Sequence, residues 1–122
     1  MPTANAPAPT PAPTAAPVYS PDAPARSDID AGTGPLLLQF GVGWCGHCRV
    51  AEPAIVQALQ AHPQLVHLRI EDGPGRALGR SFKVKLWPTL VLMVHGQEVA
   101  RLVRPTQVEQ VQALLSHLPG VV

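Results

Sequence analysis

Both cysteines of this chain stand in one short stretch, residues 44–48 (Trp-Cys-Gly-His-Cys), which constrains the fold more than any other feature. The stretch follows an apolar run over 36–40 and precedes a pattern with helical periodicity. A Cys-x-x-Cys pair at such a junction puts the first thiol at the N-terminus of a helix, where backbone N–H groups and the helix dipole favour a negative charge. The second thiol lies about one turn further along the helix. The two are therefore close enough to form a small disulfide.

Cysteines at this spacing do not form a structural disulfide framework, which uses more cysteines to close longer loops. They are a redox pair or part of a metal site. A tetrahedral zinc site takes four protein ligands, whereas Cys45, Cys48 and His47 supply three at most, and the sequence has no second Cys-x-x-Cys or His pair. We therefore predict a redox pair that uses no metal and no bound cofactor.

The composition narrows the classes of partner. A chain of 122 residues has room for one domain, and its net charge of +1 and 14% charged residues leave no basic block for nucleic acid. Its apolar runs are far shorter than a membrane span, and the N-terminus has neither the basic nor the apolar region of a signal peptide. We therefore expect a monomeric cytoplasmic protein without nucleic-acid or membrane partners. A processed or re-engineered N-terminus would also fit a periplasmic or secreted protein.

Residues 1–27 differ in composition from the rest of the chain. Eight of the fifteen prolines fall between Pro2 and Pro24, mixed with Ala, Thr and Ser. Such a segment cannot bury enough apolar surface to offset the entropy lost on ordering, which predicts a disordered arm. A docking ligand for a proline-recognising domain is the alternative. Residues 28–35 form a poorly defined lead-in with one helical turn over 27–31, and the folded domain is predicted over 36–120.

Hydrophobic periodicity in the folded part predicts four strands and three helices in the order βαβαββα. The strands are predicted over 36–41, 65–70, 90–94 and 98–103, and the helices over 47–61, 76–82 and 106–118. Pro53 falls inside the first of these helices, and Thr106 with Glu109 matches a capping box for the last. Two right-handed βαβ crossovers and a hairpin then give a three-layer α/β fold, a four-stranded mixed sheet with helices on both faces.

This order, with Cys-x-x-Cys opening a helix and a proline just before the third strand, resembles the thioredoxin family over residues 36–118. The resemblance implies that Cys45 is the attacking cysteine, Cys48 the resolving one, and Pro88 the cis-proline that faces them. It also implies a set of substrate-contacting residues, which are Trp44, Gly46, Trp87 and Thr89. The first strand and helix of a full-length thioredoxin are expected to be missing, their place being taken by the proline-rich arm.

The resemblance implies thiol–disulfide exchange. The Cys45 thiolate attacks a disulfide, and Cys48 resolves the mixed disulfide by attacking Cys45. The expected partners are protein or peptide disulfides and an electron-donor reductase, so that the simplest function is that of a reductase. Two alternatives remain. One is an oxidase or isomerase outside the cytoplasm, and the other is a non-catalytic binding module or redox switch.

His47 gives the site the Cys-Gly-His-Cys sequence of protein disulfide isomerases, where thioredoxins proper have Gly-Pro. A histidine at this position can stabilise the thiolate, and therefore the reduced form, which makes the couple more oxidising. We expect a reduction potential between about −270 mV, the thioredoxin value, and about −180 mV, the isomerase value.

Two polar positions depart from the family pattern. Six residues before the nucleophile the family carries a buried acid, whereas this chain has Gln39, which cannot act as a base. The family's partner lysine falls at His67. Either Gln39 and His67 form a neutral buried pair in which His67 takes over proton transfer for Cys48, or His67 is a polar residue on the solvent side of its strand.

Overall fold

The computed structural model describes residues 18–119, which form one four-stranded sheet with helices on both faces. In chain order the elements are α1 (Arg26–Asp30), β1 (Leu36–Gly41), α2 (Gly46–Leu59), β2 (Val66–Glu71), α3 (Ala77–Ser81), β3 (Thr89–Val94), β4 (Gln97–Val103) and α4 (Val108–Leu115). The predicted α/β class and the order from β1 onward are confirmed. Within these residues no helix is long and apolar enough to cross a membrane.

The sheet has the strand order β2-β1-β3-β4, with β1 parallel to β2 and antiparallel to β3. The prediction of two parallel crossovers was therefore wrong, since only the connection through α2 joins parallel strands. The five residues of α3 span about 7 Å, too little to return the chain along a strand. The next strand consequently starts at the sheet end where β2 stops, and Phe40 pairs with both Ile70 and Thr89 there.

The central strands β1 and β3 are buried on both faces because helices cover each side of the sheet. The core facing α2 and α4 includes Leu37, Ala51, Ile55, Leu90 and Leu115. The core facing α1 and α3 includes Ile29, Leu38, Phe40, Leu78 and Val91. Continuous apolar runs in the sequence thus correspond to the two strands that bury both faces.

Helix α4 is shorter than predicted and begins later. Its N-cap is Gln107, and the Gln110 side chain accepts hydrogen bonds from the backbone N–H groups of Thr106 and Gln107, at 2.8 and 2.9 Å. The predicted capping box of Thr106 and Glu109 was therefore wrong by one residue. A glutamine pair satisfies the free N–H groups instead, because the longer amide side chain can fold back over the first turn.

The segment before β1 differs from the sequence-based description. Ser20 joins the sheet beside β2, donating its N–H to Arg69 O at 3.0 Å and accepting from Glu71 N–H at 2.8 Å. Tyr19 is buried, and Ile29 of α1 packs into the core. The composition of residues 1–27 predicted a disordered arm. Tyr19 and Ser20 belong to that segment, but the burial of one and the backbone bridge of the other attach it to the domain. The helical turn predicted over 27–31 is confirmed as α1, and a single backbone bridge at Ser20 takes the place of the expected missing first strand. The rest of the predicted arm, residues 1–17, and Gly120 lie outside the described residues.

Candidate active site

The two cysteines occupy unequal positions at the start of α2. Cys45 is the N-cap residue with an extended backbone, and its carbonyl accepts the N–H of Arg49 at 3.1 Å. Cys48 lies within the first turn and faces the sheet. Both thiols are free, and Cys45 is 8% exposed whereas Cys48 is 0% exposed. Cys45 is therefore the thiol that a substrate can reach, in agreement with its predicted role as nucleophile.

Burial dominates the chemistry of Cys48. It raises the pKa of this thiol to about 11, against the lowering effect of hydrogen bonds from the Val42 backbone and the Tyr19 side chain. The interaction with Cys45 also raises the pKa of Cys48, because the Cys48 thiol is the donor of that hydrogen bond. At neutral pH Cys48 is therefore a thiol that points its proton toward Cys45.

Gly41, the last residue of β1, provides the space for Cys48. A Cβ atom at this position would lie 2.6 Å from Cys48 Sγ and 2.8 Å from the Tyr19 hydroxyl. Real Cβ contacts are longer than this, so that no other residue fits without moving one of the two groups. The strand end, the resolving thiol and the tyrosine thus meet at one point.

Below the thiols, Gln39 lies at the centre of a polar network. Its side chain is fully buried, its Nε2 donates to the Tyr19 hydroxyl at 2.7 Å and to Glu52 Oε1 at 3.2 Å, and its Oε1 lies 2.7 Å from His67 Nε2. A carboxylate only accepts, which fixes the amide with Nε2 toward Glu52 and Oε1 toward His67. His67 must therefore donate from Nε2 to this oxygen.

The predicted pair of Gln39 and His67 is thus present, and His67 is half-buried. Burial, with a smaller contribution from the charge of Arg69, lowers the pKa of His67 to about 4. The imidazole is therefore neutral at pH 7, and its Nε2 proton is held by Gln39. The path from His67 to Cys48 passes through Gln39 and Tyr19, and a role for His67 in proton transfer stays a prediction.

Glu52 and Arg69 form a charged branch of the same network. Arg69, which pairs with Gln39 across the strands, makes a salt bridge through Nη2 to Glu52 Oε2. Both side chains are more than two-thirds buried. The acid that the family pattern places on β1 is missing there, whereas a carboxylate held by an arginine lies on the adjacent helix.

A loop before β3 packs against the two cysteines through Trp87. The Trp87–Pro88 peptide bond is cis, as the resemblance implied for Pro88. Arg104 holds this loop from the end of β4, since its backbone N–H donates to Pro88 O at 2.9 Å and its Nε to Trp87 O at 2.8 Å. Thr89 is 1% exposed and donates its hydroxyl to Leu86 O at 2.6 Å. Its side chain therefore stabilises the loop, and a contact of Thr89 with substrate stays a prediction.

Two tryptophans border the Cys45 thiol. Trp44 is 76% exposed and contacts Trp87 edge to face, with ring centroids 5.9 Å apart. Trp87 packs against the cluster of Val42, Cys45 and Cys48 and donates its indole N–H to Asp72 Oδ2 at 2.8 Å. Gly46 and His47 are exposed on the first turn of α2. An apolar, aromatic surface thus lies beside the accessible thiol.

Within residues 18–119, no three His, Cys, Asp or Glu side chains stand together in a way that could hold a metal ion. Sequence reasoning missed Tyr19, Glu52 and Arg69. Glu52 carried a usable signal, because it stands one helical turn after Cys48 and so shares its face of α2. Arg69 carried a weaker one, as the strand neighbour of Gln39.

The comparisons with known proteins agree with this geometry. A protein-family model described as Thioredoxin matches residues 21–117. The structure of thioredoxin 2 from Pseudomonas aeruginosa PAO1 in its reduced form matches with a TM-score of 0.73 at 50% identity, over 80% of this chain and 92% of that one. A thioredoxin of Alicyclobacillus acidocaldarius subsp. acidocaldarius is 31% identical over 88 residues, 70% of this chain and 82% of its own length. The bifunctional thioredoxin reductase/thioredoxin of Mycobacterium leprae is 30% identical over 83 residues, 67% of this chain and 18% of its own length.

The match to the Thioredoxin model runs from before α1 to beyond α4 and includes both cysteines. Because the Thioredoxin model covers well over half of the sequence, and the two thiols pack with Trp87, whose bond to Pro88 is cis, this chain belongs to the thioredoxin family of thiol–disulfide oxidoreductases.

Proposed function

We propose that the protein reduces disulfides in proteins or peptides, with Cys45 as nucleophile, Cys48 as resolving thiol, and their reversible disulfide in place of any bound cofactor or metal. The observation that carries this proposal is the unequal setting of the two thiols. Cys45 reaches the surface at a helix N-terminus, whereas Cys48 is fully buried and protonated at neutral pH. An accessible nucleophile backed by a protected thiol supports this order of attack.

The exchange takes two steps. The Cys45 thiolate attacks one sulfur of the substrate disulfide, so that a Cys45–substrate disulfide forms and the other substrate sulfur leaves as a thiolate that takes a proton from water. Cys48 then loses its proton and attacks the Cys45 sulfur, and the second substrate sulfur leaves and is protonated. The substrate gains two electrons and two protons, and the protein ends with a Cys45–Cys48 disulfide.

A reductase that supplies electrons is the partner that restores the dithiol. Thioredoxin-family proteins receive electrons from thioredoxin reductase, and in the Mycobacterium leprae relative the reductase and the thioredoxin belong to one bifunctional protein. We propose that this chain acts as a monomer, and that the aromatic surface of Trp44 and Trp87 contacts reductase and substrate in turn. A reducing compartment such as the cytoplasm suits this direction of exchange.

His47 supports a second candidate, an oxidase or isomerase of extracytoplasmic proteins. Its side chain is exposed one residue before Cys48, in the isomerase-like Cys-Gly-His-Cys sequence. A histidine at this position can stabilise the Cys45 thiolate, which shifts the couple toward oxidation of substrates. The reduction potential decides between the directions, with values near about −270 mV favouring the reductase and values near about −180 mV the isomerase.

Insulin reduction by dithiothreitol tests the proposal. The wild-type protein should accelerate precipitation of the insulin B chain, Cys45→Ser should be inactive, and Cys48→Ser should accumulate a mixed disulfide that a mass spectrum resolves. A wild-type protein that does not exceed the dithiothreitol background would indicate a binding module or redox switch and would contradict the proposal.

A further inference from the structure

We propose that Tyr19 is a catalytic residue of the resolving step, its hydroxyl donating a hydrogen bond to Cys48 Sγ and stabilising the negative charge on this sulfur as it attacks or leaves. The inference rests on the proposed function, because it concerns the exchange between Cys45 and Cys48. It assigns chemistry to a residue that lies outside the segment that the sequence predicts to fold.

The first support is position. Tyr19 packs in one cluster with Val42, Cys45 and Cys48, and it is 8% exposed. Its hydroxyl oxygen and Cys48 Sγ lie 2.8 and 2.6 Å from one point, the Cβ position of Gly41. The two atoms are therefore no more than about 5.4 Å apart, and a side-chain hydrogen bond joins the Tyr19 hydroxyl to the Cys48 thiol.

The second support is the direction of the hydrogen bonds. Gln39 Nε2 donates to the Tyr19 oxygen at 2.7 Å, and the carboxylate of Glu52 fixes the orientation of that amide. The proton of the Tyr19 hydroxyl is thus free to point at Cys48. Gln39 serves as a positioning residue, because it orients the tyrosine and does not touch the sulfur chemistry itself.

The third support is the protonation state of Tyr19 and of the polar side chains around it. Burial raises the pKa of Tyr19, so that the phenol stays protonated through the cycle and can act only as a donor toward Cys48. Gln39 cannot ionise, and His67 is neutral with its Nε2 proton on Gln39. Glu52 is bound by Arg69. None of these side chains on β1, β2 and α2 is placed to donate to the sulfur, so that the Tyr19 hydroxyl and the Val42 backbone N–H are the donors to Cys48.

A hydrogen bond from Tyr19 does not change which bonds break and form in the exchange, nor where the protons go. On resolution the S–S bond between Cys45 and the substrate breaks, the bond between Cys48 and Cys45 forms, and the Cys48 proton ends on the departing substrate sulfur through water. On reduction by an external thiol, the reductant bonds to Cys45 and Cys48 leaves as a thiolate. Tyr19 keeps its own proton in both directions and donates a hydrogen bond to a sulfur that carries charge.

The test is the rate at which dithiothreitol reduces the oxidised full-length protein, followed by tryptophan fluorescence. Tyr19→Phe keeps the ring and removes the hydroxyl, and it should slow this reduction by about tenfold, as expected for losing a hydrogen bond to a charged leaving group. Alkylation of Cys45 by iodoacetamide in the reduced protein should change by less than about twofold, because Cys48 does not leave in that reaction.

Val91→Ala is the matched control, since it loosens packing in the core on the other face of the sheet without touching the site. It should lower thermal stability and leave the reduction rate as in wild type. The inference is overturned if Tyr19→Phe is reduced as fast as wild type, or if reduction and alkylation slow together. A wild-type protein whose disulfide forms and is reduced normally, yet fails to reduce insulin, would contradict the proposed function and leave the role of Tyr19 intact.

Discussion

At the scale of single residues, Gly41 has no room for a side chain, whereas Gly46, the other glycine of the site, has nothing within 4 Å of its Cβ position. A Cβ there would approach Cys48 Sγ to 2.6 Å and the Tyr19 hydroxyl to 2.8 Å. Gly41→Ala should therefore lower the free energy of unfolding by about 1–3 kcal/mol, the usual effect of overpacking. Urea unfolding measures it. Gly34→Ala, where nothing lies within 4 Å, is the control and should change stability by less than about 0.5 kcal/mol. Equal stabilities of the two variants would contradict this account.

The neutral amide of Gln39 stabilises the site because it can donate a hydrogen bond to Glu52. Gln39→Glu would put a second carboxylate 3.2 Å from Glu52 Oε1, where a donor now lies. Two carboxylates so close repel each other when both are ionised. We expect a loss of about 1–3 kcal/mol relative to wild type at pH 7 and a smaller loss at pH 5, where one of them takes a proton. Thermal unfolding at the two pH values measures this. Gln57→Glu on the exposed face of α2 should show neither effect, and a similar loss in both variants would refute the prediction.

At the scale of elements, β2 makes the protein sensitive to acid through His67. Burial lowers its pKa to about 4, whereas an unfolded histidine titrates near about 6.5. Between these values the unfolded chain binds more protons, so that stability is full above about pH 6.5 and falls as the pH drops toward 4. Allowing for the partial exposure of His67, the loss is on the order of 1–2 kcal/mol.

Urea unfolding at pH 7, 6 and 5 checks the expected slope. His67→Gln should reduce the fall in the free energy of unfolding between pH 7 and pH 5. His62→Gln, in the connection after α2, should keep the wild-type dependence on pH. A wild-type stability that is constant from pH 7 to pH 5 would show that His67 is not buried in its neutral form.

The elements of the site were predictable where their signals are local. The apolar run of β1, the periodicity of α2 and the proline before β3 each depend on neighbouring residues, and each was confirmed. Tyr19 was not predictable, because its burial depends on Ser20 pairing beside the distant strand β2, within a segment whose composition indicates disorder. The N-cap of α4 was missed by one residue because Ser, Thr, Asn and Asp are the usual caps, and here Gln107 takes that place.

At the scale of the whole molecule, the reduction potential measures how much the Cys45–Cys48 disulfide stabilises the fold relative to the dithiol. The two quantities are linked by a thermodynamic cycle in which about 30 mV corresponds to about 1.4 kcal/mol. We expect two features of the site to stabilise the Cys45 thiolate and so to favour the dithiol. The helix N-terminus acts on Cys45, and an exposed histidine stands beside it.

His47→Pro removes the second feature and keeps the first, since proline is tolerated in the first turn of a helix. The potential should become more negative by about 30 mV or more, and the oxidised form should gain about 1.4 kcal/mol of stability relative to the reduced form. Equilibration with glutathione gives the potential, and urea unfolding of both redox forms gives the stabilities independently. The control is Ser116→Ala, exposed at the end of α4, which should change neither the reduction potential nor the relative stability of the two redox forms. A potential unchanged in His47→Pro, or a wild-type value below about −270 mV, would show that the histidine does not make this couple more oxidising.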